Sequence, residues 1–342
     1  MKYILLLGAG FSHNWGGWLA SEAFEYLLGC PEIQKDQRLK DLMWKHQDTG
    51  GFEGAIEQVQ RDHILVASSE TARRLQGLQA AVSRMFADMN KAFLGLEYRD
   101  WEFLTGNNDK PHEKRVSTFL GKFDAIFSLN QDVLIERQYH GDDRAFIHHP
   151  RFSNGPSLPG MQHHLQSGRP GRVGWAHDTW TPMMESEEQR FTVKPDTQPF
   201  FKLHGSSNWR RSSGDDLLVV GGNKLGEIRF NPILSWYHEQ FENYLCAPDT
   251  RLMVIGYGFR DQHINEVIQE GVTEGMTFFV VDPRGSNLAA SIGRQPVGSI
   301  QGPPTELEVA FKSGLIGASR RSLRSIFSSD DVEFGKVQSF FN

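Results

Sequence analysis

Four short clusters carry residue types suited to handling a nucleotide, and each follows an apolar run. Gly8-Ala9-Gly10-Phe11-Ser12 comes after residues 3–7. Its glycines let backbone N–H groups at the start of the next helix approach a pyrophosphate, and a side chain at position 10 would obstruct that approach. The spacing departs from G-x-G-x-x-G, because His13 stands where a third glycine would fall; a tight turn without ligand is the other reading. Ser128-Leu129-Asn130-Gln131-Asp132 offers an amide and a carboxylate that can hold ribose hydroxyls, steer a water, or cap the helix expected over 133–139. In Phe200-Phe201-Lys202-Leu203-His204-Gly205-Ser206 the histidine is placed for general-base work near neutral pH. In Val254-Ile255-Gly256-Tyr257-Gly258-Phe259-Arg260-Asp261, Gly256 and Gly258 permit close approach of a nucleotide, and Asp261 can cap a helix bearing His263, Ile264 and Asn265. Asp282, ending the next apolar run, can take an adenosine-ribose diol or serve as a surface cap.

The elements that must position these residues are short apolar runs at 3–7, 125–129, 200–203, 252–255 and 277–281, most with helical segments between them. Buried strands alternating with helices predict an α/β fold: a Rossmann-like parallel sheet with helices on both faces. Residues 18–28 read as the first helix after the glycine turn. Residues 31–115 lack strand-like runs. Leu75, Leu78, Val82, Met85, Met89, Phe93 and Leu96 form one stripe of a long helix, so this region reads as a helical subdomain inserted into a catalytic domain of 1–30 and 116–285. Residues 140–198 show no sustained period and read as a long loop or lid. Their histidines (His148, His149, His163, His164, His177) do not have the spacing of a zinc ligand set, and no metal is expected. Residues 286–342 read as a C-terminal segment with short helices, whose Arg320, Arg321 and Arg324 are a solvated face or a partner contact.

Composition narrows the function. The 342 residues carry a net charge of −6, which argues against direct nucleic-acid or anionic-membrane binding as the main activity. The 39% apolar content and 34 glycines belong to a globular chain. Cys30 and Cys246, the only cysteines, cannot form a disulfide framework or a four-cysteine zinc site, and a reducing cytoplasmic compartment fits best. The initial apolar run breaks at Gly8, too short for a signal peptide, and no other stretch approaches a membrane span.

In this order, G-A-G-F-S at 8–12, L-N-Q-D at 129–132, K-L-H-G-S at 202–206 and I-G-Y-G-F-R-D at 255–261 resemble the sirtuin-like NAD-consuming fold of the silent-information-regulator superfamily. The resemblance implies that Gly8, Ala9, Gly10, Phe11 and Ser12 bind the NAD phosphates. Asn130 and Asp132 would hold the nicotinamide ribose and a water, and His204 would be the catalytic base. Gly256, Tyr257, Gly258 and Asp282 would line the adenosine side. Sirtuin deacylases carry a four-cysteine zinc module shortly after that histidine, whereas no cysteine lies here between Cys30 and Cys246. The stretch from Lys202 to Trp209 and the G-Y-G-F-R-D run at 256–261 are more similar to bacterial sirtuin-like NAD hydrolases of anti-phage defence, for which NAD+ is the substrate and no further cofactor is expected. That likeness implies a homo-oligomer and a HerA-like ATPase partner. The alternatives on the same fold are a zinc-free deacylase or ADP-ribosyltransferase and a non-catalytic NAD or ADP-ribose sensor.

Overall fold

A computed structural model describes residues 1–105, 111–140, 151–164, 176, 178–183, 191–221, 224–289, 296–297, 300–301 and 304–342. Its first strand, β1 (Lys2–Leu7), shows why the chain folds around a sheet. Ile4, Leu5, Leu6 and Leu7 are consecutive and all fully buried, which alternating strand geometry permits only when both faces are covered. The strands that follow are β2 (Ala125–Ser128), β3 (Pro156–Ser157), β4 (Met161–His164), β5 (Thr179–Pro182), β6 (Gln198–Lys202), β7 (Gly205–Arg210) and β8 (Asp216–Leu218). Then come β9 (Thr250–Ile255), β10 (Thr277–Val281), β11 (Pro296–Val297), β12 (Ile300–Gln301) and β13 (Leu315–Ser319).

Seven strands form one parallel sheet in the order β13-β10-β9-β1-β2-β6-β3, with helices on both faces, as expected for a Rossmann-like fold. The chain winds outward from β1 through β2 to β6, then returns to the other side of β1 as β9. This is the reversal at which open parallel sheets bind ligands, outside the carboxyl ends of the strands.

Between β1 and β2 the described chain is helical, with Ala20–Gly29, Gln37–His46, Gly51–Leu65 and Ser69–Gly95 the longest pieces. Ser68 caps the last of these through the Thr71 amide, and Leu78, Val82, Met85, Met89 and Phe93 are buried along one side. The helix expected over 18–28 is Ala20–Gly29. It is preceded by a further short helix, Ala9–His13, whose N-cap is Gly8 and whose five residues are too few to show a helical period. The helix expected over 133–139 closes as a π-helical turn at Glu136–His140.

Two further differences concern short strands. The 140–198 region, read as a loop without period, contributes β3, β4 and β5 among its described residues; runs of two to four residues are too short to show alternation. β4 and β5 join the β7–β8 hairpin in a second sheet ordered β4-β5-β7-β8. The C-terminal segment supplies β13, which extends the parallel sheet; its partly exposed Leu-Ile-Gly-Ala-Ser sequence does not look like a core strand. No helix among the described residues is long and apolar enough to cross a membrane.

Candidate active site

Strand register brings the four clusters to one edge. Leu7 pairs with Ser128 on one side and Ile255 on the other, Ile255 with Val281, and Ser128 with Lys202. Gly8, Leu129, Leu203, Gly256 and Asp282 therefore leave the sheet in one row. Asn130 and His204 each lie two positions beyond the Ser128–Lys202 pair.

The floor of this edge is made of glycines packed on one another. Gly256 has φ +66°, and a Cβ there would fall 2.3 Å from the Phe11 nitrogen and 2.4 Å from the Gly10 carbonyl carbon. A Cβ on Gly8 would meet the Gly256 oxygen at 2.6 Å, and one on Gly10 the Gly256 Cα at 2.8 Å. The Gly10 amide donates to the Gly256 carbonyl at 2.9 Å, the Gly8 amide to the Ile255 carbonyl at 3.0 Å and the Phe11 amide to the Gly8 carbonyl at 2.8 Å. Glycine is thus required here by contact between two segments of this chain. That contact is a reason for glycine at position 10 besides the expected space for a pyrophosphate.

Above the floor stands a directed hydrogen-bond chain. The Asn130 side-chain amide donates to the Gly8 carbonyl and to Ser12 Oγ, both at 3.0 Å. Ser12 in turn donates to Asp132 Oδ2 at 2.8 Å, and Asp132 Oδ1 accepts the Leu134 amide at 3.0 Å. Reversing the Asn130 amide would set its oxygen against the Gly8 carbonyl, so the network fixes its orientation. Both Asn130 hydrogens are committed, leaving Oδ1 as a hydrogen-bond acceptor at the edge.

A buried ion pair ties this chain to the histidine strand. Lys202 Nζ lies 2.6 Å from Glu136 Oε1, donates to Ser206 Oγ at 2.8 Å and also reaches the Asp132 carbonyl. Burial raises the Glu136 carboxyl and Lys202 opposes that rise. The helical segment before β2 takes part through Asn90, which accepts the Val133 amide at 3.1 Å and donates to Ser207 Oγ at 2.8 Å. Neither Lys202–Glu136 nor Asn90 was singled out from sequence; the one available signal was a polar Asn on an otherwise apolar helix side.

His204 is 3% exposed, and its Nε2 lies 3.2 Å from Nε2 of His263. Burial pushes the His204 imidazole well below the ordinary histidine range; Asp261 pulls upward, while Lys224, His238 and His263 add to the push. The ring is therefore neutral near pH 7 and able to accept a proton. His238, brought to about 4 chiefly by burial, meets the Leu203 carbonyl through Nε2 at 3.1 Å. Burial would raise Asp261, but His204 and Lys224 outweigh it and the carboxyl sits below its usual range. Lys224 joins Asp261 at 2.7 Å to Glu53 at 2.9 Å.

The remaining expected residues lie at the edge in differing attitudes. Ala9 is exposed, whereas Phe11 packs into a cluster with Trp15 and Trp101. The single Tyr257 hydroxyl hydrogen faces two acceptors at 3.0 Å each, the Asp261 carbonyl and Asn265 Oδ1 of the following helix. Gly258 has only ordinary contacts at its Cβ position. Asp282 Oδ1 accepts the amide and Nε of Arg284, at 2.9 and 3.1 Å. A cavity of about 440 Å³ lined by Lys2, Phe191, Trp236 and Tyr244 involves none of these residues. His148, His149 and His177 lie outside the described residues, and His164 bonds Thr181 at 2.7 Å. Among the described residues no group of three or more His, Cys, Asp or Glu is arranged to hold a metal.

A doubly wound parallel sheet with polar side chains at its switch point is a Rossmann-like α/β architecture, and that edge is where open parallel sheets bind ligands. A model of the SIR2-like domain matches residues 124–294, half of the 342-residue chain, and the chain belongs to the SIR2-like family. Membership points to an NAD-utilising enzyme. The matched segment runs from the start of β2 past β10 and contains Asn130, Asp132, His204, Gly256 and Asp282. No curated protein matches the chain.

Proposed function

We propose that this chain is an NAD+ glycohydrolase that cleaves the nicotinamide N-glycosidic bond to give nicotinamide and ADP-ribose. The observation that carries the reading is the pairing, at one sheet edge, of an orientation-locked Asn130 with a buried neutral His204. Cleavage passes through an oxocarbenium-like state, and the leaving nicotinamide is already cationic in NAD+, so no general acid is needed at that nitrogen, unlike the two-carboxylate glycosidases. The protein has to hold the ribose and bring water to the anomeric carbon. Asn130 Oδ1 accepts from a ribose hydroxyl or the water. Asp132 acts through Ser12, holding the hydroxyl that holds Asn130. His204 accepts the proton released by the hydroxyl or water.

On this reading NAD+ is the substrate and no metal or further cofactor takes part. The absence of cysteine between Cys30 and Cys246 favours hydrolysis over zinc-module deacylation. The resemblance of the Lys202 to Trp209 stretch and the G-Y-G-F-R-D run to anti-phage NAD hydrolases supports a role as an NAD-depleting defence effector, as a cytoplasmic homo-oligomer working with a HerA-like ATPase. The test is to incubate the purified chain with NAD+, alone and with that ATPase, and to follow nicotinamide and ADP-ribose chromatographically. Stoichiometric release of both without acceptor supports the proposal. Release strictly dependent on an acylated peptide or acceptor protein would instead identify a deacylase or transferase, and NAD+ binding without turnover in either arm a sensor.

A further inference from the structure

His263 sits in the first turn of the helix Gln262–Thr273, where Asp261 is the N-cap residue. At 3.2 Å its Nε2 and that of His204 need one N–H facing one lone pair, since two bare or two protonated nitrogens would repel. Burial lowers both rings, so near neutrality they share a single proton across this contact. His204 Nδ1 has no hydrogen-bond partner among the described residues. The charged and titratable groups facing the pair are His238 on the helix Pro232–Leu245, Asp261 and Glu266 on the His263 helix, and Lys224 with its partner Glu53. Asp261 favours positive charge on both rings, Glu266 favours it on His263, and His238 disfavours it on His204.

Resting on the glycohydrolase reading, we propose that His263 is a positioning residue that accepts the His204 Nε2 proton and so leaves the Nδ1 lone pair of His204 as the basic atom. When Nδ1 takes a proton from the ribose hydroxyl or water, the Nε2 proton passes to His263 Nε2. One N–H forms and one breaks on His204, and the positive charge comes to rest on the less buried ring, beside Asp261.

The experiment compares the full-length wild type, His263→Ala and His263→Gln in two measurements. Nitrogen-15 correlation spectra of histidine-labelled protein report which His204 nitrogen carries hydrogen, with no need for turnover. The wild type should show Nε2–H, H263A a mixture of tautomers, and H263Q, whose amide oxygen can accept the same proton, the wild-type form. Initial rates of nicotinamide release across pH 5.5–8.5 should show kcat lowered about 10- to 100-fold in H263A, part of what a general base supplies, with KM changed less than about twofold. Added imidazole should restore part of that loss, and H263Q should retain more activity than H263A. A His204 tautomer indifferent to H263A, or an unaltered kcat, overturns the proposal. Wild-type protein that never releases nicotinamide defeats the glycohydrolase reading instead, and the spectra still decide the histidine pairing. Should H263A fail to fold, a His204 tautomer in H263Q other than Nε2–H overturns it equally.

Discussion

Replacing Lys202 by methionine probes how the Asn130 loop and the His204 strand are held in register. Both partners of the Lys202–Glu136 pair are 1% exposed, and Glu136 Oε2 has no hydrogen-bond partner among the described residues. In K202M the carboxylate loses its lysine partner, and Ser206 and the Asp132 carbonyl lose a donor. Breaking a buried pair from one side costs about 3–5 kcal/mol. At about 2.1 cal/mol/K per residue, 342 residues give an unfolding entropy of roughly 0.7 kcal/mol/K, so the melting temperature should fall by about 4–7 °C. Burial already raises the Glu136 carboxyl, and removing the lysine raises it further. A carboxyl whose folded pKa exceeds its unfolded one binds its proton first in the folded state. The loss is therefore largest at pH values above the folded pKa and shrinks on acidification toward the unfolded value near 4.3. K202M/E136L removes both charges and should regain most of the stability. It does not restore the Asp132 carbonyl contact, so nicotinamide release should remain depressed. Thermal melts at pH 5 and pH 8 and a release assay on the three proteins test this. A K202M protein as stable as wild type, or a double variant no more stable than the single one, refutes the reasoning.

Asn130→Ala and His204→Ala should each abolish nicotinamide release while circular dichroism stays that of the wild type; full turnover in either removes that residue from the site. Gly256→Ala should destabilise by more than the about 1–2 kcal/mol of a left-handed residue, because its Cβ would also strike the Phe11 nitrogen; a melt unchanged from wild type contradicts the packed floor. Gly10→Val, which faces Gly256, should lower the melting temperature as well as NAD+ affinity, and loss of affinity alone would return the explanation to the pyrophosphate. His204, His238 and His263 are all lowered, so the unfolded chain binds more protons than the folded one below about pH 6.5. Stability should then fall on acidification by up to about 1.4 kcal/mol per pH unit for each ring, and His238→Gln should show a shallower decline; equal melting temperatures at pH 7 and pH 5 count against buried neutral histidines.

The parts of the fold legible in sequence are those whose residues are buried on both faces. β1, β2, β6, β9 and β10 show as apolar runs, and the stripe ending at Phe93 shows as a helix. β13 and β3 were illegible because an edge strand of mixed polarity and a two-residue strand leave no pattern. Asn130 and His204 could be singled out because a polar residue ending an apolar run must fall at the sheet edge. Their supports could not: His263 meets His204 across 59 positions, Glu136 meets Lys202 across 66, and Asn90 meets Val133 across 43. The glycines were visible, but the neighbour that demands them lies on a distant strand.

Because Gly8 and Gly10 lie directly on Gly256, the two wings of the sheet are welded where they meet. A hinge needs a seam along which segments can part, and this seam is closed by main chain on both sides. Relative movement at this sheet edge is therefore left to the segments that carry Asn90 and Glu53 and to the hairpin after His204. A methyl group added to either loop would strike the other.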